Sequence, residues 1–133
     1  MVEERFDVET GKKLVRDTRP LTITYQGKSK TFSMPGWYPE GDDDGTFTDA
    51  DMKVYDRAIN ELKAETEHLL SPQEIRSIRK KLNLTQVQAG TILGGGRNAF
   101  QRYESGEILP SRAISNLLRV LSIQPTFLRA LGG

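Results

Sequence analysis

The sequence predicts an α+β chain: a small antiparallel sheet with a long helix, followed by a domain of five short helices. Three observations predict it. Two runs near the start alternate apolar and polar residues with period two, the pattern of half-buried strands. From Thr48 onward apolar residues recur at helical spacing, and helix-start signals at Thr48 and Ser71 divide that stretch. Charge divides in the same place. Residues 1–70 hold 10 Lys+Arg and 15 Asp+Glu, a net of −5, and residues 71–133 hold 9 and 3, a net of +6, in a chain of formal charge +1. An acidic half joined to a basic half suggests two jobs, and the basic one points toward a polyanion. A boundary is expected near residues 69–71, giving domains 1–70 and 71–133.

Residues 1–11 are polar and read as loose. Lys13-Leu14-Val15 suggests a short strand. Leu21, Ile23 and Tyr25 share one face of a second strand, Gln26-Gly27-Lys28 reads as a turn, and Thr31 to Met34 alternate again. Pro35 to Gly41 reads as a loop from its prolines and glycines. A lone hairpin is marginal. The expected cover is a helix opened by Thr48 and Asp51, with Met52, Tyr55, Ile59 and Leu62 on its inner side up to about His68. Ser71-Pro72-Gln73-Glu74 opens the next helix with a capping box and a proline in the first turn. Helices follow at about 72–82, 86–93, 98–104, 111–122 and 125–131, and such short segments bury a shared core only as a bundle.

Within the bundle the stretch from Leu84 to Gly106 is the most informative. Thr85 and Gln88 form a capping box, Gly94-Gly95-Gly96 allows a sharp reversal, and Asn98 opens a short helix ended by Gly106. Ala99, Phe100 and Tyr103 should face inward. Asn98, Gln101, Arg102 and Ser105 follow neighbour spacing on the other side. An ordinary solvated face would show the same spacing. Asn, Gln and Arg offered together are nevertheless suited to base edges, because Arg grips guanine and Asn or Gln grips adenine with two hydrogen bonds. Asn98 and Arg102 are the candidate base readers, with Arg97 and Gln101 beside them. Thr85 and Gln86 are placed to touch phosphate, although capping alone also explains Thr85. Arg76, Arg79, Lys80 and Lys81 form a basic cluster on the preceding helix.

Other chemistry finds little support. There is no cysteine, hence no disulfide framework and no thiolate metal site. No cofactor, metal site or catalytic group is expected, since His68 stands alone and reads as a helix-end residue. Gly94 to Ala99 fits the dinucleotide fingerprint, but that motif must follow a strand, and no acidic residue follows Glu107. Asp42-Asp43-Asp44-Gly45 fails the calcium-loop spacing and reads as a solvated acidic loop. No secretion signal or membrane span is visible, so a cytoplasmic location is expected. Trp37 and Tyr38 read by default as core packing over the hairpin; the alternative makes them the candidate partner-binding pair, because such aromatics often anchor interfaces.

The run LTQVQAGTILGGGRNAFQRYESG, followed by LLRVL, resembles the Cro/repressor helix-turn-helix class and, more closely, the MqsA antitoxin family. The resemblance covers about residues 71–131 well and 12–68 loosely. It implies a dimeric repressor of a palindromic operator in double-stranded DNA. Asn98 and Arg102 match the family's recognition-helix Asn and Arg, and the first helix of the domain, with Arg76, Arg79, Lys80 and Lys81, would lie near the DNA backbone. It also implies a ribonuclease toxin as partner of the N-terminal domain. The family's zinc-binding Cys-x-x-Cys pairs would fall near Phe6–Glu9 and Pro39–Asp42, where no cysteine stands, so zinc does not carry over. The expected function is an autoregulating antitoxin repressor, not an enzyme. The competing reading is an interaction module that mainly masks a basic toxin, with DNA binding secondary.

Overall fold

The computed structural model describes residues 3–132. Strands β1 (Glu4–Phe6), β2 (Lys13–Tyr25) and β3 (Lys28–Pro39) form an antiparallel sheet in the order β1-β2-β3. Helices α1 (Asp49–Glu67), α2 (Pro72–Lys81), α3 (Gln86–Leu93), α4 (Ala99–Ser105) and α5 (Arg112–Ile123) follow, and a 3-10 helix spans Pro125–Leu131. Among the described residues no helix is long and apolar enough to cross a membrane. Two compact units result, residues 1–59 and 60–133.

In the first unit the expected hairpin is much longer than the two alternating runs. Gln26 and Gly27 both take positive φ, 48° and 78°, which makes a two-residue turn matching strand twist. β2 and β3 then pair without interruption from Tyr25–Lys28 to Leu14–Pro39. The expected loop at Pro35–Gly41 is therefore strand as far as Pro39. Its alternation continues beneath the prolines: Met34, Gly36 and Tyr38 are buried on the face that Phe32 begins. Proline fits a strand only where its missing N–H faces an open edge. β1 covers β2 only at Lys13 to Val15, so Pro20 lies where that side of β2 is open. The start of the chain, expected to be loose, supplies β1. Asp7 Oδ1 accepts from the amides of Glu9 (2.8 Å) and Thr10 (3.3 Å), turning the chain from β1 toward β2.

α1 opens as its capping pair predicts. Thr48 N donates to Asp51 Oδ2 at 2.9 Å, and Asp51 N donates to Thr48 Oγ1 at 3.2 Å. Asp51 also receives both terminal nitrogens of Arg16, one at 2.8 Å. In the expected inner stripe Leu62 is buried, whereas Met52 is 38% exposed, and Ala58 and Ala64 complete the buried side. α1 ends where His68 turns to φ 57° and its carbonyl accepts from Arg119.

The second unit begins inside α1, earlier than the Ser71 signal. Asn60 Nδ2 donates to the carbonyls of Gly106 and Glu107, each at 3.0 Å, tying that turn of α1 into the helical core. Ile75, Phe100 and Leu118 lie fully buried at its centre. The segment expected as a last α-helix is 3-10 instead. None of its residues is fully buried, although Leu128 packs partly against the helical core, and this short proline-led turn keeps the tighter hydrogen bonds, such as Phe127 N to Gln124 O at 3.1 Å.

Candidate nucleic-acid interface

Two helices and a glycine turn build the site. Thr85 caps α3, accepting from Gln88 N at 3.1 Å while Gln88 Oε1 accepts from Thr85 N at 2.9 Å. Both side chains are thus occupied by the cap, though both remain exposed; Gln86 is half-buried. Gly94, Gly95 and Gly96 take φ of 110°, 97° and 95°, a region closed to most residues. The turn folds back on α3, where the Gly90 carbonyl accepts from Gly94 N (3.2 Å) and Gly96 N (3.3 Å).

This closeness requires glycine at position 90. A Cβ there would stand 1.9 Å from the Gly96 carbonyl oxygen, a backbone atom that cannot step aside without moving the turn. Gly90→Ala is expected to lower stability by about 1–3 kcal/mol or more, as overpacking of a tight core does. Thermal unfolding followed by circular dichroism checks this; an unchanged midpoint would mean that the turn shifts freely.

α4 is locked by its inner side. Phe100 is 0% exposed, Ala99 and Tyr103 are buried beside it, and the Phe100 and Tyr103 rings meet edge-on at 5.3 Å. That leaves Asn98, Gln101 and Arg102 exposed, at spacing that puts them on one side of the helix, with Arg97 exposed just before them. Asn98 holds the N-cap position but makes no side-chain cap, so its amide is not spent on the helix. Ser105 is half-buried and donates back to the Arg102 carbonyl at 3.1 Å.

The basic cluster on α2 divides. Arg76 and Lys80 are exposed, and Lys81 donates to the Ser122 carbonyl at 2.6 Å. Arg79, expected at phosphate, is turned inward. Its Nε and Nη2 each bond Glu104 of α4 at 2.8 Å, and its Nη1 bonds the Leu84 carbonyl at 2.9 Å. The side chains are only 11% and 6% exposed, and the Glu104 hydrogen bonds hold the Arg79 pKa above its usual value. Arg79 therefore positions α4 from behind. A partner for it 25 residues away was invisible in the sequence.

In the first unit Tyr38 has little to offer a partner. It is 3% exposed, its hydroxyl donates to the Met34 carbonyl at 2.7 Å, and burial pushes its pKa up. Trp37 is half-buried beneath the Arg5 and Arg16 guanidinium groups, at 4.5 and 5.6 Å from the ring centre. Arg19 was not singled out in the sequence, yet it lies 4.5 Å over the Tyr38 ring and bonds the carbonyls of Pro39 and Asp42. The two stretches where zinc ligands would fall are thus tied by Asp7 and Arg19, and these residues do not fit a zinc site. Among the described residues no three His, Cys, Asp or Glu stand together as metal ligands.

The family model described as the antitoxin component of the bacterial toxin-antitoxin system, MqsA, matches residues 6–131. The antitoxin MqsA of Escherichia coli (strain K12) is 44% identical over 79 residues, 59% of this chain and 56% of that relative. The matched region thus spans little more than half the length of the relative.

Proposed function

This chain belongs to the MqsA antitoxin family, and from that premise we propose that it is a sequence-specific DNA-binding repressor acting as the antitoxin of a toxin-antitoxin pair. The observation that carries the proposal is the exposed group Asn98, Gln101 and Arg102 on a helix whose other side is locked by Phe100, Tyr103 and Glu104. Base reading needs such rigidity, since a loosely held side chain loses its orientation. In this proposal α3, the glycine turn and α4 act as a Cro/repressor-type helix-turn-helix. α4 enters the major groove, Arg102 takes the N7 and O6 of guanine, and Asn98 takes adenine. Thr85, Gln86, Arg76 and Lys80 meet phosphates, so affinity falls steeply with salt.

Reading a palindrome takes two copies, with recognition helices about 34–36 Å apart. The apolar surface suited to pairing is Val120, Ile123, Phe127 and Leu131, which are 48%, 82%, 56% and 37% exposed. The acidic residues 1–70 suit a basic toxin, with Trp37 the more accessible of the two aromatics.

Arg102→Ala and Asn98→Ala test the proposal. Each is expected to cost about 1–3 kcal/mol of discrimination between operator and scrambled duplex. The probe is a duplex that the unmodified protein selects from a random pool, titrated beside its scrambled sequence. If both variants keep the unmodified ratio, α4 is not the reading helix.

A further inference from the structure

We propose that Glu107 sets the specificity of Arg102 by holding its guanidinium back from the phosphate backbone; this rests on the reading of Arg102 as a base-contacting residue. Glu107 lies beyond α4, but the chain doubles back on it. Gly106 takes φ 82°, and the Arg102 carbonyl accepts from the amides of Glu107 (3.0 Å) and Ile108 (3.4 Å). Asn60 Nδ2 holds the Gly106 and Glu107 carbonyls from the other direction. The Glu107 backbone is therefore tied at both its amide and its carbonyl, and its carboxylate stands 3.6 Å from Arg102 Nε.

Three acidic residues occur from Ser71 onward. Glu74 closes the α2 capping box and Glu104 holds Arg79. Glu107 alone is directed at a side chain of the exposed reading group. A carboxylate there repels every phosphate and so weakens DNA binding in general. The compensating gain is discrimination, obtained by penalising the wrong contact. The closest approach is at Nε, on one side of the guanidinium, which leaves Nη1 and Nη2 for an acceptor pair such as guanine N7 and O6. With the carboxylate charge gone, Arg102 is free to swing to a phosphate, gaining affinity for any DNA and losing its base.

Glu107→Gln keeps the shape and removes the charge. The experiment measures it alone, with Arg102→Ala, and as the double variant, all in the full chain, on the selected duplex and its scrambled sequence at several salt concentrations. Glu107→Gln alone is expected to raise affinity for the scrambled duplex and to lower the ratio about two- to five-fold, the range of an exposed ion pair. The salt slope on scrambled DNA should steepen by about 0.9 for the added phosphate contact. In the Arg102→Ala background the same change should leave the ratio untouched. An unchanged ratio for Glu107→Gln alone, while Arg102→Ala lowers it, overturns the proposal and leaves the reading of Arg102 standing. So does an equal fall in both backgrounds, since Glu107 would then act without Arg102. If Arg102→Ala itself keeps the full ratio, the reading of Arg102 fails and this inference goes with it.

Discussion

Replacing Glu104 by alanine lowers the stability of the helical unit by about 3–5 kcal/mol, the cost of leaving one charge of a buried pair without its partner. Arg79 is the stranded group. At 11% exposure it has little access to water, and only the Leu84 carbonyl remains to accept from it. The loss is also local to the candidate interface, because Glu104 sits two residues after Arg102 on a helix of only seven residues. Denaturant unfolding of the full chain followed by far-ultraviolet circular dichroism measures the change. Arg79→Met combined with Glu104→Leu should recover most of it, since apolar residues of similar volume often replace a buried pair at no cost. A single variant as stable as the unmodified chain would mean that water reaches Arg79 and the pair holds nothing.

Asp51→Ala lowers the stability of the sheet unit by about 3 kcal/mol, the lower end of the same range. Asp51 is 2% exposed, but its partner Arg16 is 32% exposed and can regain some water once abandoned. Part of the loss is the helix start, since Asp51 also accepts from Thr48 N. Acid should reproduce part of it. The hydrogen bonds from Arg16, chiefly, and then those from Thr48 lower the Asp51 pKa from 3.8 to about 2 against the opposing effect of burial. A carboxyl held below its unfolded value binds its proton more readily in the unfolded chain. Its contribution, about 2 kcal/mol from that shift, is present above pH ~4 and lost as pH falls toward ~2. Trp37, the only tryptophan, stands opposite Arg16 in the sheet register, so its fluorescence reports on this unit. The stability gap between the unmodified chain and Asp51→Asn should narrow across that window. A gap independent of pH would show that the Asp51 charge is not what holds Arg16.

What could be read from the residues in order was whatever depends on near neighbours. The capping pairs Thr48–Asp51, Ser71–Glu74 and Thr85–Gln88 are all formed, because each closes within three residues. The Gln26-Gly27 turn and the inward set Ala99, Phe100 and Tyr103 follow from the same local geometry. So does the outward position of Asn98, Gln101 and Arg102, which three-and-four spacing dictates once the inner side is packed.

The tertiary structure decided everything that hangs on a distant partner. Arg79 and Arg76 are both basic residues of one helix, yet one is exposed and the other is bound to Glu104, 25 residues on. Arg16 finds Asp51, Arg19 finds the Pro39–Asp42 turn, and Asn60 finds Gly106 and Glu107, all across gaps of 20 residues or more. Tyr38 became core rather than surface because pairing with β2 carries strand alternation through Pro35 and Gly36, past signals that by themselves mean loop. Near neighbours along a chain share one backbone geometry, so their spacing announces their contacts. A charged side chain declares only its sign, and its partner is chosen by whichever oppositely charged or polar group the packed fold delivers within hydrogen-bond reach.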